Sequence, residues 1–346
     1  SIMTKQISHK RLIYITLIIL VALIALVSAR YGAVRLEVHD IIDSIGKTLR
    51  QDPDMTLNER IFMDIRFPRV LLCILVGASL AVGGTLLQAL FRNPIVEPGL
   101  VGTSSGAALG AALYFTLGAK FQINAGEWTL PIAACLGGVL ATWLVLALSQ
   151  SRDTGKSAIV TILLTGIAIN ALCISGVGFM SYIARDPQAR SITFWGLGTL
   201  SGANWHSVII VGISTSLTVF AAMRYAKQLN ALMIGESEAM FLGVNIRRLK
   251  LHVLTINVIM VAVATAFVGV ISFVGLIVPH LLRMLGGSDN RYLIQASVLM
   301  GALILLSADF IARMTVAPAE LPIGIVTSVV GVPVFIFLLR RNKYLF

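Results

Sequence analysis

The sequence predicts an all-α polytopic membrane protein with about ten transmembrane helices and both termini cytoplasmic. Three observations carry that expectation. Of 346 residues, 57% are hydrophobic and only 12% charged, with a mean hydropathy of +0.89, whereas about a quarter of the residues in a soluble domain are charged. The apolar residues fall into runs of about 20, the length a helix needs to cross roughly 30 Å of hydrocarbon. Lys and Arg gather on one set of connecting segments, which is the pattern that sets orientation in a bilayer.

Apolar runs can be drawn at 11–29, 68–90, 99–118, 129–149, 158–183, 205–223, 251–270, 271–285, 293–312 and 323–339. An even number of crossings returns the chain to its starting side. With the N-terminus inside, the inner segments hold 16 of the 27 Lys and Arg against five acids, and the outer segments hold 11 against 11 acids. The whole net charge of +11 therefore sits on one face. Such basicity also suits nucleic acid, but here the charges lie at helix ends and serve topology, so no nucleic-acid partner is expected.

The run 11–29 is long and continuous with the rest of the pattern, and Ser28-Ala29-Arg30-Tyr31 offers no cleavage site of small residues, so it is read as a membrane helix and not as a leader. Residues 30–64 form the one long outer, periplasmic loop, in which 34–45 has the pattern of a short amphipathic helix. Its length alone argues for a role. The polar, twice Pro-interrupted stretch Phe91–Pro98 reads as a cytoplasmic turn. Gly102, Gly106 and Gly110, four apart, make a small-residue face suited to close helix packing.

Residues 224–250 are the longest inner loop, and 231–244 reads as two short helices bent at Gly235, suited either to lipid or to a soluble partner. Pro279 inside the run 271–285 predicts a kink or an end near Ile277–Pro279. His280, beside it, reads as a hydrogen-bonded structural group. Asp309 is the only acid well inside an apolar run.

Enzyme chemistry is hard to find. Gly155-Lys156-Ser157 mimics the tail of a phosphate-binding loop, but the glycine required five residues earlier is replaced by Gln150, so ATP is not bound by that route. No HExxH or GxSxG run occurs, and Cys73, Cys135 and Cys173 stand singly in apolar runs, without metal-ligand or disulfide spacing. The chain is expected to be one transmembrane permease domain over 1–346, with no catalytic residue, no metal site and no permanent cofactor. An ion-driven secondary transporter is the alternative of a different class; it should show buried carboxylates or broken helices near the midplane, and the sequence shows few.

Ordered motifs from Arg66 to Arg340 point further. They include Arg66-Phe67-Pro68-Arg69, Asn93-Pro94-Ile95-Val96-Glu97-Pro98-Gly99, Leu232-Met233-Ile234-Gly235-Glu236 with Leu242-Gly243-Val244, Phe273-Val274-Gly275-Leu276-Ile277-Val278-Pro279-His280, and Glu320-Leu321-Pro322-Ile323-Gly324. With these the chain resembles the permease subunits of ATP-driven bacterial importers for iron-siderophores, haem and cobalamin. The form of the Asn93–Gly99 run is most similar to haem permeases of Gram-negative bacteria.

The resemblance implies a multi-pass protein of the bacterial inner membrane, working as a homodimer with a substrate path on its twofold axis. Two cytoplasmic ATPase subunits that use the ATP, a periplasmic binding protein and haem as the transported substrate are implied with it. A ferric siderophore or cobalamin is the alternative cargo. Family matching places Arg66, Arg69 and Arg313 at the binding protein, and Leu232, Gly235, Glu236, Ser237, Leu242 and Gly243 at the ATPase. It places Asn93 and Ile95 in the cytoplasmic gate, together with the turn near Arg152–Val160. Met180, Tyr182, Arg185, Arg190, Trp195 and His206 are candidates for the outer part of a haem path.

Overall fold

The computed structural model describes residues 2–123, 126–149 and 156–341, and all the regular structure among them is helical. In chain order the helices are α1 (Ile2–Arg30), α2 (Val38–Leu49), α3 (Leu57–Ile61), α4 (Phe67–Phe91), α5 (Thr103–Leu113), α6 (Thr129–Leu148), α7 (Lys156–Ile183) and α8 (Asp186–Leu197). After these come α9 (Trp205–Met223), α10 (Ala226–Ile234), α11 (Glu236–Phe241), α12 (Ile246–Val268), α13 (Val274–Gly286), α14 (Asn290–Met314) and α15 (Ile323–Arg341). Among the described residues eight helices are long and apolar enough to span a membrane, with α3 and α4 counted as one.

A π turn at Phe62–Arg66 joins α3 to α4, making a 35-residue rod over Leu57–Phe91. At 1.5 Å per residue this is about 50 Å, well beyond the hydrocarbon thickness. The rod is the core of the fold. Its apolar positions run all round the helix, as a fully buried helix requires, and α9, α12, α13 and α14 pack against it. Two glycine contacts let backbones touch: a Cβ on Gly77 would overlap the Gly301 carbonyl of α14, and one on Gly84 would overlap the Gly275 carbonyl of α13. The Gly106 and Gly110 face of α5 meets Gly137 and Ala133 of α6 in the same way.

α1 lies on the outside with Leu12, Ile15, Ile19, Leu23 and Leu26 exposed, which suits a helix facing lipid. In the outer loop the amphipathic helix lies at Val38–Leu49, a few residues later than the pattern suggested, because Glu37 and Asp40 form a capping box that fixes its start.

The loop after α4 does not stay at the inner surface. Arg92 turns the chain with a left-handed φ of +49°, and Pro98 then packs against Gly83, in the interior of α4. The polar run therefore folds back into the bundle, and α5 starts part-way across. α13 also starts deep: Gly275 meets Gly84, seven residues and about 10 Å before the inner end of α4. The gap between α12 and α13 is the unwound segment 269–273, held by left-handed backbone at Gly269 and Phe273.

Pro279 does not end its helix. α13 runs through it, and the break falls before it, at 269–273. The carbonyl that a residue 279 N–H would have bonded belongs to Gly275, and the Gln88 side-chain amide lies 3.5 Å from it and 3.4 Å from the Leu276 carbonyl. Gln88 Oε1 in turn accepts from Arg283.

Candidate functional site

Two polar assemblies lie one above the other along the bundle, and an apolar patch stands at the inner end. At the outer end Arg69 of α4 forms a two-point pair with Asp309 of α14 (Nε to Oδ2 2.9 Å, Nη2 to Oδ1 2.8 Å), while its Nη1 donates to Glu320 at 2.9 Å. Arg313 lies one turn beyond Asp309; it donates to the Ser28 and Tyr31 carbonyls and approaches Asp309 at 3.6 Å. Arg66 donates to the Ala29 carbonyl at 2.9 Å and the Val34 carbonyl at 2.6 Å. The three arginines expected at the binding protein are thus brought together, but all are buried, at 6%, 9% and 7% exposure for Arg66, Arg69 and Arg313. They tie α1, α4 and α14 together. Glu320 is the half-open member, its side chain 38% exposed.

Midway across, Glu97, Ser104, Ser105, Asn170 and Ser272 line a cavity of about 330 Å³, with Leu80, Ile174 and Phe273 as apolar walls. Glu97 Oε2 accepts from the Phe273 amide at 3.4 Å, which links the re-entrant loop to the unwound segment. Asn170 of α7 donates to the Gly99 carbonyl at 3.1 Å and accepts from Ser105. A broken helix and a deep carboxylate are therefore present after all. The reason they escaped the sequence is that Glu97 sits in a polar stretch that reads as a surface turn. Nearer the inner end, Asn93 caps its own turn by accepting from the Ile95 amide at 3.0 Å, and the Ile95 side chain is half exposed. Of the second gate turn, near Arg152–Val160, residues 152–155 lie outside the described residues, and α7 begins at Lys156.

His280 is fully buried, and among the described residues neither ring nitrogen has a hydrogen-bond partner, so the satisfied group expected there is not found. Among the described residues no cluster of His, Cys, Asp and Glu could hold a metal.

At the inner end, α10 and α11 meet at Gly235, whose φ of +147° lies in a region that side chains disfavour. Leu232 is buried beneath them, Glu236 pairs with Lys250 of α12 at 3.1 Å, and Ser237 is exposed. Met240, Phe241 and Leu242 project outward at 65%, 92% and 65% exposure, with exposed Gly243 closing the turn. Three successive exposed apolar side chains make a patch suited either to a protein contact or to lipid.

The six outer-path candidates are not gathered. Tyr182, Arg185 and Arg190 are exposed at the α7–α8 junction, and Met180 is half-buried with its carbonyl accepting from Thr116. Arg185 lines a cavity of about 390 Å³ with Lys120, Thr116 and Gln188. Trp195 is buried where the ends of α8 and α12 meet, and His206 stands against the Trp128 ring, 5.9 Å between centroids.

A helical bundle with eight helices long and apolar enough to span a membrane, re-entrant segments and a polar cavity in its interior has the architecture of a multi-pass membrane protein. The chain belongs to the FecCD transport family, whose model matches residues 17–341. It is similar to the hemin transport system permease protein HmuU of Yersinia pestis, with 40% identity over 94% of this chain and 95% of that one. It is also similar to the cobalamin import system permease protein BtuC of Halobacterium salinarum, with 38% identity over 81% of this chain and 73% of that one. Among solved structures, an inward-facing transporter described as of the metal-chelate ABC type superposes with a TM-score of 0.83 at 29% identity, covering 96% of this chain and 99% of that one. PsaBC of Streptococcus pneumoniae shares the fold, with a TM-score of 0.54 at 19% identity, over 86% of this chain and 95% of that one. The chain is thus a permease of an ABC importer.

Proposed function

We propose that the chain is the haem-translocating permease of that importer, moving haem from a periplasmic binding protein to the cytoplasm. It acts as a homodimer with the path on its axis and with two ATPase subunits seated on the α10–α11 loops; the ATP is bound and hydrolysed by those partners. The observation that carries the haem reading is the near full-length similarity to a hemin permease. The outer cavity adds chemical sense, since Lys120 and Arg185 suit the propionates of an otherwise apolar macrocycle. Burial of Arg66, Arg69 and Arg313 favours a bracing role for them beneath the docking face, with Glu320 as the group of that cluster nearest solvent.

Cobalamin is the second reading, favoured by relatives named for vitamin B12 import, and a ferric siderophore is the further alternative cargo. Uptake into vesicles holding permease, ATPase and binding protein separates the cargoes. Haem should be preferred, and Arg185→Ala should reduce its uptake severalfold. Preferential transport of cobalamin or a ferric siderophore overturns the haem assignment.

A further inference from the structure

We propose that Asn230 is a positioning residue for transport: it fixes α10 to the start of α14, and α14 carries the state of the inner loop to the outer ion cluster. The side-chain amide of Asn230 grips that start at both its ends. Its Nδ2 donates to Asp289 Oδ1 at 2.9 Å, and its Oδ1 accepts from the Asn290 backbone amide at 2.8 Å and from Asn290 Nδ2 at 2.9 Å. Asp289 is the N-cap of α14, accepting from the Arg291 amide at 3.0 Å. Asn290 is 1% exposed, so parting the two elements strands buried donors without water to replace the lost bonds.

α14 is suited to act as a rod. Its 25 residues span about 37 Å, it contains no proline, and α4 holds it at the Gly77–Gly301 contact and through the 2.7 Å Thr85–Ser297 hydroxyl pair. Its far end carries Asp309 and Arg313, the two residues that meet Arg69 and the end of α1. A displacement of α10 by a seated ATPase must therefore either break the amide clamp or shift the outer cluster. By linkage the reverse also holds, so events at the outer face bias the inner loop.

The inference rests on the reading of α10–α11 as the ATPase seat, and the test separates the two. In the reconstituted complex, a cysteine at Ser237 reports seating by cross-linking to the ATPase, while stimulation of ATP hydrolysis by the cargo-loaded binding protein reports transmission. Asn230→Ala should keep the cross-link and basal hydrolysis but lose stimulation by about fivefold or more, the lower end of ordinary allosteric coupling. Asn230→Asp should do the same, because it sets a second carboxylate against Asp289. Combining Asn230→Asp with Asp289→Asn rejoins the two side chains with reversed polarity, at the cost of the N-cap bond that the same Asp289 oxygen accepts from the Arg291 amide, and should restore part of the stimulation, a rescue that a general loss of folding does not give. Unchanged stimulation in both single variants, or no recovery in the double one, overturns the clamp. Absence of the cross-link in the otherwise unaltered protein overturns the seating reading instead.

Discussion

Arg69 is buried among apolar helices only because its charge is fully engaged. Removing one partner of such a buried pair leaves the other uncompensated, at a cost of about 3–5 kcal/mol, whereas replacing both with apolar groups of similar volume costs little. Asp309→Ala should therefore lower the thermal midpoint of the detergent-solubilised protein sharply, and Arg69→Met with Asp309→Leu should recover most of the loss. A similar midpoint for single and double variants contradicts the pairing. The sequence marked both residues as unusual, Arg69 by its motif and Asp309 as a lone acid in an apolar run, but 240 residues separate them and nothing local reveals that they meet. Ile95 was legible from its motif, and its half-open side chain leaves room for the gate test. Ile95→Trp should slow cargo uptake while leaving ATPase seating intact, and normal uptake removes it from the gate. At the clamp, burial alone would raise the Asp289 carboxyl, but hydrogen bonds from Asn230 and the Arg291 amide, together with Lys10, hold it below its ordinary value. Its folded form is thus favoured at neutral pH, and that stabilisation fades only as pH falls below about 4. Binding-protein stimulation should show no carboxylate step at the clamp between pH 8 and 5; a step abolished by Asp289→Asn contradicts this.

Among the elements, the inner loop was the most legible, because a moderately apolar pattern broken at Gly235 and Gly243 leaves few alternatives to two short helices. Gly235→Ala places a Cβ in a backbone region open almost only to glycine, with a strain of about 1–3 kcal/mol. It should misplace α11 and reduce the Ser237 cross-link to the ATPase while the bundle still inserts. An unaltered cross-link yield contradicts the strained bend. The re-entrant segment was not legible. Pro94, Glu97 and Pro98 read as a surface turn because polarity normally reports contact with water, yet here the polar groups face one another and a cavity. Pro279 misled for a related reason: the proline rule assumes a freed carbonyl without a partner, and Gln88, nearly 200 residues away, stands beside it. Periodicity detects which helices exist, whereas the depth at which each begins depends on contacts such as Gly84 with Gly275.

For the whole molecule, composition and the run lengths were enough to give a multi-pass membrane bundle, and the one-sided distribution of Lys and Arg gives the orientation expected of it. The meeting of the two interrupted segments at Glu97 and Phe273 was not available from those quantities, since it depends on long-range contacts. Those interruptions resemble what an ion-driven carrier uses, so the energy source deserves the most direct test. In sealed vesicles containing the permease, its ATPase and its binding protein, haem accumulation should require hydrolysable ATP on the cytoplasmic side and persist when ion gradients are collapsed. Haem accumulation driven by an imposed ion gradient in vesicles that hold the permease alone would contradict the account.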